Sequence, residues 1–309
     1  MLGKANEKEA SKKKKKFFTK RNVFIVCMLA YPVCQFLIMW IFVNIDSVLM
    51  TFKIWTPAGF EWQGLNNYRM LFDSLAYDKV TQTVILNSLS YAAVNLVILA
   101  LSVFASFFIY KKVPLSKVFR VIFYLPSILP LVILAFAFTM ALDPLYGVVT
   151  ALLKWAGVEN PPVWFGGEPI AQYSIWVFCI WAGLGYNIIL LSSAISRIPK
   201  DVVDYGKLEG VGYMRELFSL VIPLVWPTFT TITVMALMAP FSVYLQPMFL
   251  TKGMHNTKTI SFKIFEVTQG GGSGMEYWAT FGLFLSLIGA PIILLIRKLM
   301  ERCFKDVDF

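Results

Sequence analysis

Lys200, Asp201, Asp204, Lys207 and Glu209 fall close together in the chain, with Gly206, Gly210 and Gly212 among them and strongly apolar stretches on both sides. Carboxylates and ammonium groups at this spacing can move protons, or they can dock a partner through ion pairs. Enzymatic proton chemistry would need a base and a nucleophile beside them, and His255 is the only histidine of the 309 residues. The four cysteines, Cys27, Cys34, Cys179 and Cys303, lack the paired spacing of a metal site or a disulfide framework. No G-x-x-x-x-G-K-[ST] cradle for phosphate occurs, and Thr268 to Gly274 (T-Q-G-G-G-S-G) reads as a flexible loop. Recognition is the chemistry that remains, so the charged stretch reads as a docking handle and the chain as a non-enzyme that binds no cofactor or metal.

The handle needs a helix to present it. Asp201 is placed to cap that helix, with Asp204 reaching back three residues later. Val202, Tyr205, Leu208 and Val211 are spaced to form one apolar strip, flanked by the charges of Asp204, Lys207 and Glu209. Gly210 and Gly212 let the chain turn back, Gly210 by holding a backbone geometry that a side chain would obstruct.

What flanks the handle is lipid-soluble. With 58% hydrophobic and only 15% charged residues the chain is too apolar for a soluble domain. Six windows lack any charged residue: 22–45, 80–110, 121–142, 169–196, 217–251 and 277–296. Each can cross about 30 Å of hydrocarbon as a helix, and backbone in lipid must satisfy its own hydrogen bonds. The expectation is an all-α membrane protein with six transmembrane helices near 23–45, 84–109, 119–142, 172–195, 221–248 and 278–297. Prolines 126, 130, 223, 227, 240 and 247 are expected to kink these spans or open them toward a cavity. If the N-terminus is inside, 21 of the 28 lysines and arginines lie on the cytoplasmic side, which puts both termini and the handle there. The organisation is then a basic tail (1–21), a six-span domain (22–300) with the handle loop at 197–220, and a short tail (301–309). The first apolar stretch reads as a span, not a cleavable signal. The run Lys12 to Lys16 reads as an anchor beside membrane lipids and not as a nucleic acid site.

The spans offer hydroxyls, amides and aromatic rings but no carboxylate, which suits a neutral, hydroxyl-rich solute better than a cation. Candidate pathway residues are Asn87 and Tyr91 in span two, Trp181, Tyr186 and Asn187 in span four, and Ser242, Tyr244 and Gln246 in span five. The alternative for each is helix packing or an interface belt.

The handle resembles the cytoplasmic E-A-A loop of ABC-importer permeases (E-A-A, three residues, G, nine residues, I-x-L-P). Asp204-Tyr205-Gly206 stand at E-A-A, Gly210 at the glycine, and Leu220, Ile222 and Pro223 at I, L and P. Three further marks resemble the carbohydrate permeases of the maltose and glycerol-phosphate type. They are Gly64-Leu65-Asn66-Asn67-Tyr68 (G-L-x-N-Y), Asp143-Pro144-Leu145-Tyr146-Gly147 (D-P-x-x-G), and Phe119-Arg120 through Leu125-Pro126 (F-R-x-x-x-x-L-P). Phe241 to Thr251 is similar to the family stretch F-x-V-F-D-Q-x-Y-x-x-T-x-G, keeping Gln246, Thr251 and Gly253, with Leu245 where an acid is common.

The resemblance implies a type I ABC-importer permease in a bacterial or archaeal cytoplasmic membrane. It implies a heterodimer with a second six-span permease subunit, two ATPase subunits that hold the ATP-Mg, an extracytoplasmic solute-binding protein, and a neutral sugar or oligosaccharide as cargo. Asp204, Tyr205, Gly206, Leu208, Glu209, Gly210 and Pro223 become the ATPase-coupling residues. The rivals are a permease for polyamine, phosphate or peptide, and an intramembrane enzyme, for which the spans lack a Ser, His or Asp set.

Overall fold

The computed structural model describes residues 19–270 and 274–304. Four helices in it are long and apolar enough to cross a bilayer: α1 (Lys20–Met50), α3 (Lys79–Tyr110), α7 (Ile170–Ile195) and α14 (Met275–Cys303). Two bent pairs would raise the number to six. In the first, α4 (Ser116–Ile128) and α5 (Leu131–Ala141) meet at 113°; in the second, 213–224 and 226–241 meet at 82°.

Proline explains both breaks. Pro130 precedes α5 and cannot donate to the α4 ladder, so the chain turns at Leu129–Pro130. Pro223 and Pro227 flank the second break, just past a wide π turn at Leu217–Val221. The span expected at 221–248 is therefore shorter than its apolar window. Its helix α11 (Trp226–Leu237) closes in a single turn at Ala239–Phe241 that contains Pro240, and Leu245–Leu250 is a separate helix, α12.

Helices α3 and α7 form the centre, and small residues let them approach closely at two points. A side chain on Gly183 would strike Ile98, and one on Gly185 would strike the Phe123 carbonyl and Ser127 of α4. At one end of α3 a core joins Leu99, Val103 and Phe107 to Leu191, Ile195, Ile198, Val203, Leu217 and Val221. Toward the other end, Tyr91 packs with Ile175, Phe178, Leu134 and Leu250. By contrast α1 buries none of its residues and exposes apolar side chains all round, as lipid-facing helices do.

The segments between the spans carry structure of their own. Residues 53–62 form an antiparallel hairpin, β1 (Lys53–Thr56) and β2 (Gly59–Trp62), followed by α2 (Asn66–Tyr77). Helices α6 (Val148–Trp155) and α13 (Ile260–Gly270) follow two other spans. Thr268 to Gly270, expected in a flexible loop, complete the last turn of α13, and 271–273 lie outside the described residues.

Candidate functional site

The handle is helix α8 (Lys200–Leu208). Pro199 ends the preceding turn, and its carbonyl accepts the Val202 N–H at 3.2 Å. The helix thus begins at Lys200, two residues earlier than a cap at Asp201 would give, which puts Asp201 inside the first turn. Its charge faces the positive end of the helix dipole instead of capping it.

The expected strip of Val202, Tyr205, Leu208 and Val211 does not stay together. Among the residues of α8 whose side chains are described, Val203 and Gly206 are buried, whereas Tyr205 is 70% and Leu208 84% exposed. The inward step is set by Gly206, where a β-carbon would come within 2.9 Å of Leu220 Cδ1. Turning Gly206 inward leaves Tyr205 and Leu208 held out to solvent on the opposite side, near the exposed Asp204 and Glu209.

Gly210 ends the helix with φ of 70°, and the Val211 N–H closes back onto the Gly206 carbonyl at 3.0 Å. This is the six-residue ring of a left-handed helix cap, which glycine adopts at least cost. Space around Gly210 is open, with nothing within 4 Å of a β-carbon. The requirement is therefore the sign of φ, the backbone geometry that a side chain disfavours, and not a close neighbour. Gly212 has an ordinary φ of −70° and makes no comparable demand.

From Gly212 the chain re-enters the spans through α9 (Tyr213–Glu216), the π turn, and the three-residue helix α10 (Ile222–Leu224), where Pro223 sits at the start and is partly buried. Glu216 is buried here and pairs with Lys111, which caps the end of α3. Sequence reasoning missed this pair. The signal available was a lone acid on the boundary of a charge-free window, facing a basic residue at the end of another.

The pathway candidates divide by whether their polar groups are already spent. Asn87 gives its amide to the carbonyls of Asn256 and Lys258. Tyr91 is fully buried, with its hydroxyl 3.4 Å from the Gln172 amide nitrogen. Ser242 is exposed and points its hydroxyl weakly at its own helical turn. Trp181 is 37% exposed and stacks on Phe138 at 5.8 Å, and Tyr244 lies against Phe265 at 5.1 Å. Asn187, Gln246 and the hydroxyls of Tyr186 and Tyr244 have no hydrogen-bond partner among the described residues. At about 100° per residue, Tyr186 and Asn187 point more than a quarter-turn away from Trp181 on α7, so the three do not line one wall.

The three motifs outside the handle have structural reasons. Asn67 is fully buried and donates to the carbonyls of Thr51 and Lys53, both at 2.8 Å, while the Tyr68 hydroxyl meets Thr51 Oγ1 at 3.0 Å. Together they pin the hairpin to the end of α1. Asp143 caps the turn before α6 by accepting from the N–H groups of Tyr146 and Leu145, which hold its carboxyl below the usual carboxylate range. Gly147 closes that turn where a β-carbon would lie 2.5 Å from the Asp143 carbonyl oxygen. In the third motif Phe119 stacks on Phe123 and Pro126 is buried within α4. At residues 251–257, Thr251 and Thr257 share a buried hydrogen bond of 2.6 Å, and Lys252, Gly253, His255 and Asn256 all have positive φ.

Among the described residues no group of three or more His, Cys, Asp or Glu is placed to hold a metal ion. Four helices long and apolar enough to span a membrane, two bent pairs that would make six, and a short helix between two of them give the form of a membrane permease. The chain belongs to the family of binding-protein-dependent transport system inner membrane components, whose profile matches residues 98–305. Members of that family are transporter subunits embedded in the membrane, not enzymes. Over 242 residues the chain is 25% identical to the probable ABC transporter permease protein YurN of Bacillus subtilis (strain 168), covering 75% of this chain and 80% of that protein. It is 22% identical over 306 residues to the diacetylchitobiose uptake system permease protein NgcF of Streptomyces coelicolor, covering 93% and 86%. Among solved structures, a chain of a bacterial ABC transporter involved in the import of the acidic polysaccharide alginate matches with a TM-score of 0.79 at 21% identity, covering 94% of this chain and 99% of that one. That likeness is one of fold.

Proposed function

We propose that this chain is the permease subunit of an ATP-driven importer of a sugar or oligosaccharide. It forms half of the translocation pathway beside a second six-span permease subunit. Helix α8 is the observation that carries the reading. A short helix outside the spans, anchored through Val203 and Gly206, holds two large apolar side chains in water beside carboxylates. Exposed apolar groups rimmed by charge suit insertion into a partner's groove. The partner is an ATPase subunit, which holds ATP-Mg and moves α8 through Asp204, Tyr205, Gly206, Leu208, Glu209 and Gly210, while Pro223 shapes the return into the spans. With six spans and the basic residues inside, both termini and α8 face the cytoplasm of a bacterial or archaeal cell. An extracytoplasmic binding protein then delivers solute to the opposite face.

Sugar as cargo is supported by a relative whose name gives diacetylchitobiose. It is also supported by charge-free spans and by the unspent amides of Asn187 and Gln246, which can bond hydroxyls. The solute is neutral because none of the six windows carries a charge to meet an ionic one.

Single cysteines at positions 207 and 258 of a cysteine-free chain should label from opposite sides of the membrane with an impermeant reagent. Labelling of 207 from outside would end both the orientation and the docking role. In the assembled importer, Tyr205→Ala with Leu208→Ala should release the ATPase subunits while both permease subunits stay inserted, and full ATPase recovery would count against α8. A cognate binding protein that takes a polyamine or peptide and no sugar would remove the sugar assignment alone.

A further inference from the structure

Lys111 and Glu216 form an ion pair across 105 positions of sequence, with side chains only 11% and 5% exposed. The Lys111 ammonium also lies 5.5 Å from the centre of the Phe107 ring and 5.6 Å from that of Tyr213, so aromatic faces replace the water it has lost. A desolvated pair of this kind adds little net stability over an apolar pair of the same shape, yet removing one half strands a buried charge. Its effect is geometric. It fixes the end of α3 against the segment that returns from α8, and both sides share the core of Val103, Phe107, Val203, Leu217 and Val221.

The far part of α3 is tied just as firmly. Ser88 Oγ accepts the Ile260 N–H at 2.8 Å, and the Asn87 amide holds the carbonyls of Asn256 and Lys258. The loop held there has Lys252, His255 and Asn256 in left-handed backbone conformations, which persist only when the surroundings enforce them. Between the two attachments α3 runs unbroken as part of a 32-residue helix. From Ser88 to Lys111 the rise is about 35 Å, more than the thickness of the hydrocarbon core.

We infer that α3 is the rod that carries motion of α8 through the membrane to the loop at 251–260, with Lys111–Glu216 as the strut at its near end. This rests on the reading of α8 as the ATPase-docking helix. It adds a span that is remote from the handle in sequence to the spans that adjoin it. Lys111 and Glu216 are positioning residues, since they act through α3.

The test uses the complete importer with the native cysteines removed and an environment-sensitive fluorophore on Met254→Cys, an exposed position of that loop. ATP-Mg with orthovanadate should shift the label in the parent. Lys111→Met or Glu216→Gln should cut that shift by about five-fold or more, the low end of an ordinary coupling between sites, while ATP hydrolysis persists. The exchanged pair Lys111→Glu with Glu216→Lys should recover most of it. If the single variants fail to assemble, Lys111→Met with Glu216→Leu leaves no stranded charge and should assemble with a weakened response. An unchanged shift in the single or apolar variants, or no shift in the parent, would overturn the rod. Cross-linking of position 207 to the ATPase reads the docking role separately, so loss of one result does not mimic loss of the other.

Discussion

Gly206 packs directly beneath Leu220, so close that a β-carbon would stand 2.9 Å from Cδ1. The atom it would meet is the free end of a flexible side chain, which can move by the few tenths of an ångström that alanine needs. Valine cannot be accommodated that way and must push α8 outward. Gly206→Ala should keep near-normal uptake, Gly206→Val should lose ATPase recovery in pull-down, and Leu220→Ala should restore part of the loss. Equal behaviour of the alanine and valine variants would show that this contact does not set the height of α8.

Gly210 makes the opposite demand, since its surroundings are empty and only φ is constrained. Gly210→Ala should weaken α8 by about 1 kcal/mol, the left-handed cost of a side chain, and Gly210→Asn by less. Hydrogen exchange at the amides of 205–211 in the purified complex would rank the three proteins, and an asparagine variant worse than alanine would refute the backbone argument.

Asn67 holds a buried and a partly buried carbonyl with one amide. Asn67→Asp replaces that donor with an acceptor and should lower thermal stability more than Asn67→Ala. Each orphaned carbonyl is worth about 1–3 kcal/mol. Differential scanning of the detergent-solubilised complex gives the order, and a milder aspartate variant would mean that the carboxyl is protonated there.

Asp78 caps α3. The Thr81 hydroxyl, followed by the Val80 N–H, holds its carboxyl below the ordinary value of 3.8. A lowered folded-state pKa contributes stability that is present above the unfolded value and lost as pH falls through the folded one. The stability gap between the parent and Asp78→Asn should be constant at neutral pH and shrink below about pH 4, measured by thermal unfolding. A gap that widens on acidification would reverse the sign of this assignment.

Among the pathway candidates, Asn187→Ala and Gln246→Ala should reduce solute-dependent uptake with little change in melting temperature. Asn87→Ala should do the reverse by freeing the loop at 251–260. Parallel transport and melting measurements separate the two groups, and a melting change in the first group would return those residues to a packing role.

The windows free of charge located the spans because burial in lipid is written directly into composition, as α3 and α7 illustrate. They did not reveal that proline would end α11 so early, since an apolar run reads alike in a straight helix, a bent one or two short ones. The same blindness hid the hairpin at 53–62, whose short strands carry no long period. At the handle, spacing pointed to a turn at Gly210, whose φ is positive, but not to which way α8 faces. Tyr205 and Leu208 are indistinguishable from core residues in sequence, and only the contact of Gly206 with Leu220 turns them outward. Asn87 and Tyr91 looked like solute ligands for the same reason: an amide or hydroxyl in a span does not announce whether a backbone carbonyl or a side chain will claim it.

The docking of the hairpin on α14 bears on biogenesis. The Trp55 N–H reaches Glu276 across 221 positions and the Thr280 hydroxyl reaches Thr51 across 229, and α1 finds a main neighbour in the same helix. During synthesis α1 is inserted long before α14 leaves the ribosome, so for most of translation it waits in lipid without its principal intrachain partner. A ribosome stalled before residue 275 would therefore carry α1 loose beside a centre of α3 and α7 that can already pack. The same early helix would be open to capture by a chaperone or a neighbouring subunit before its own chain can claim it.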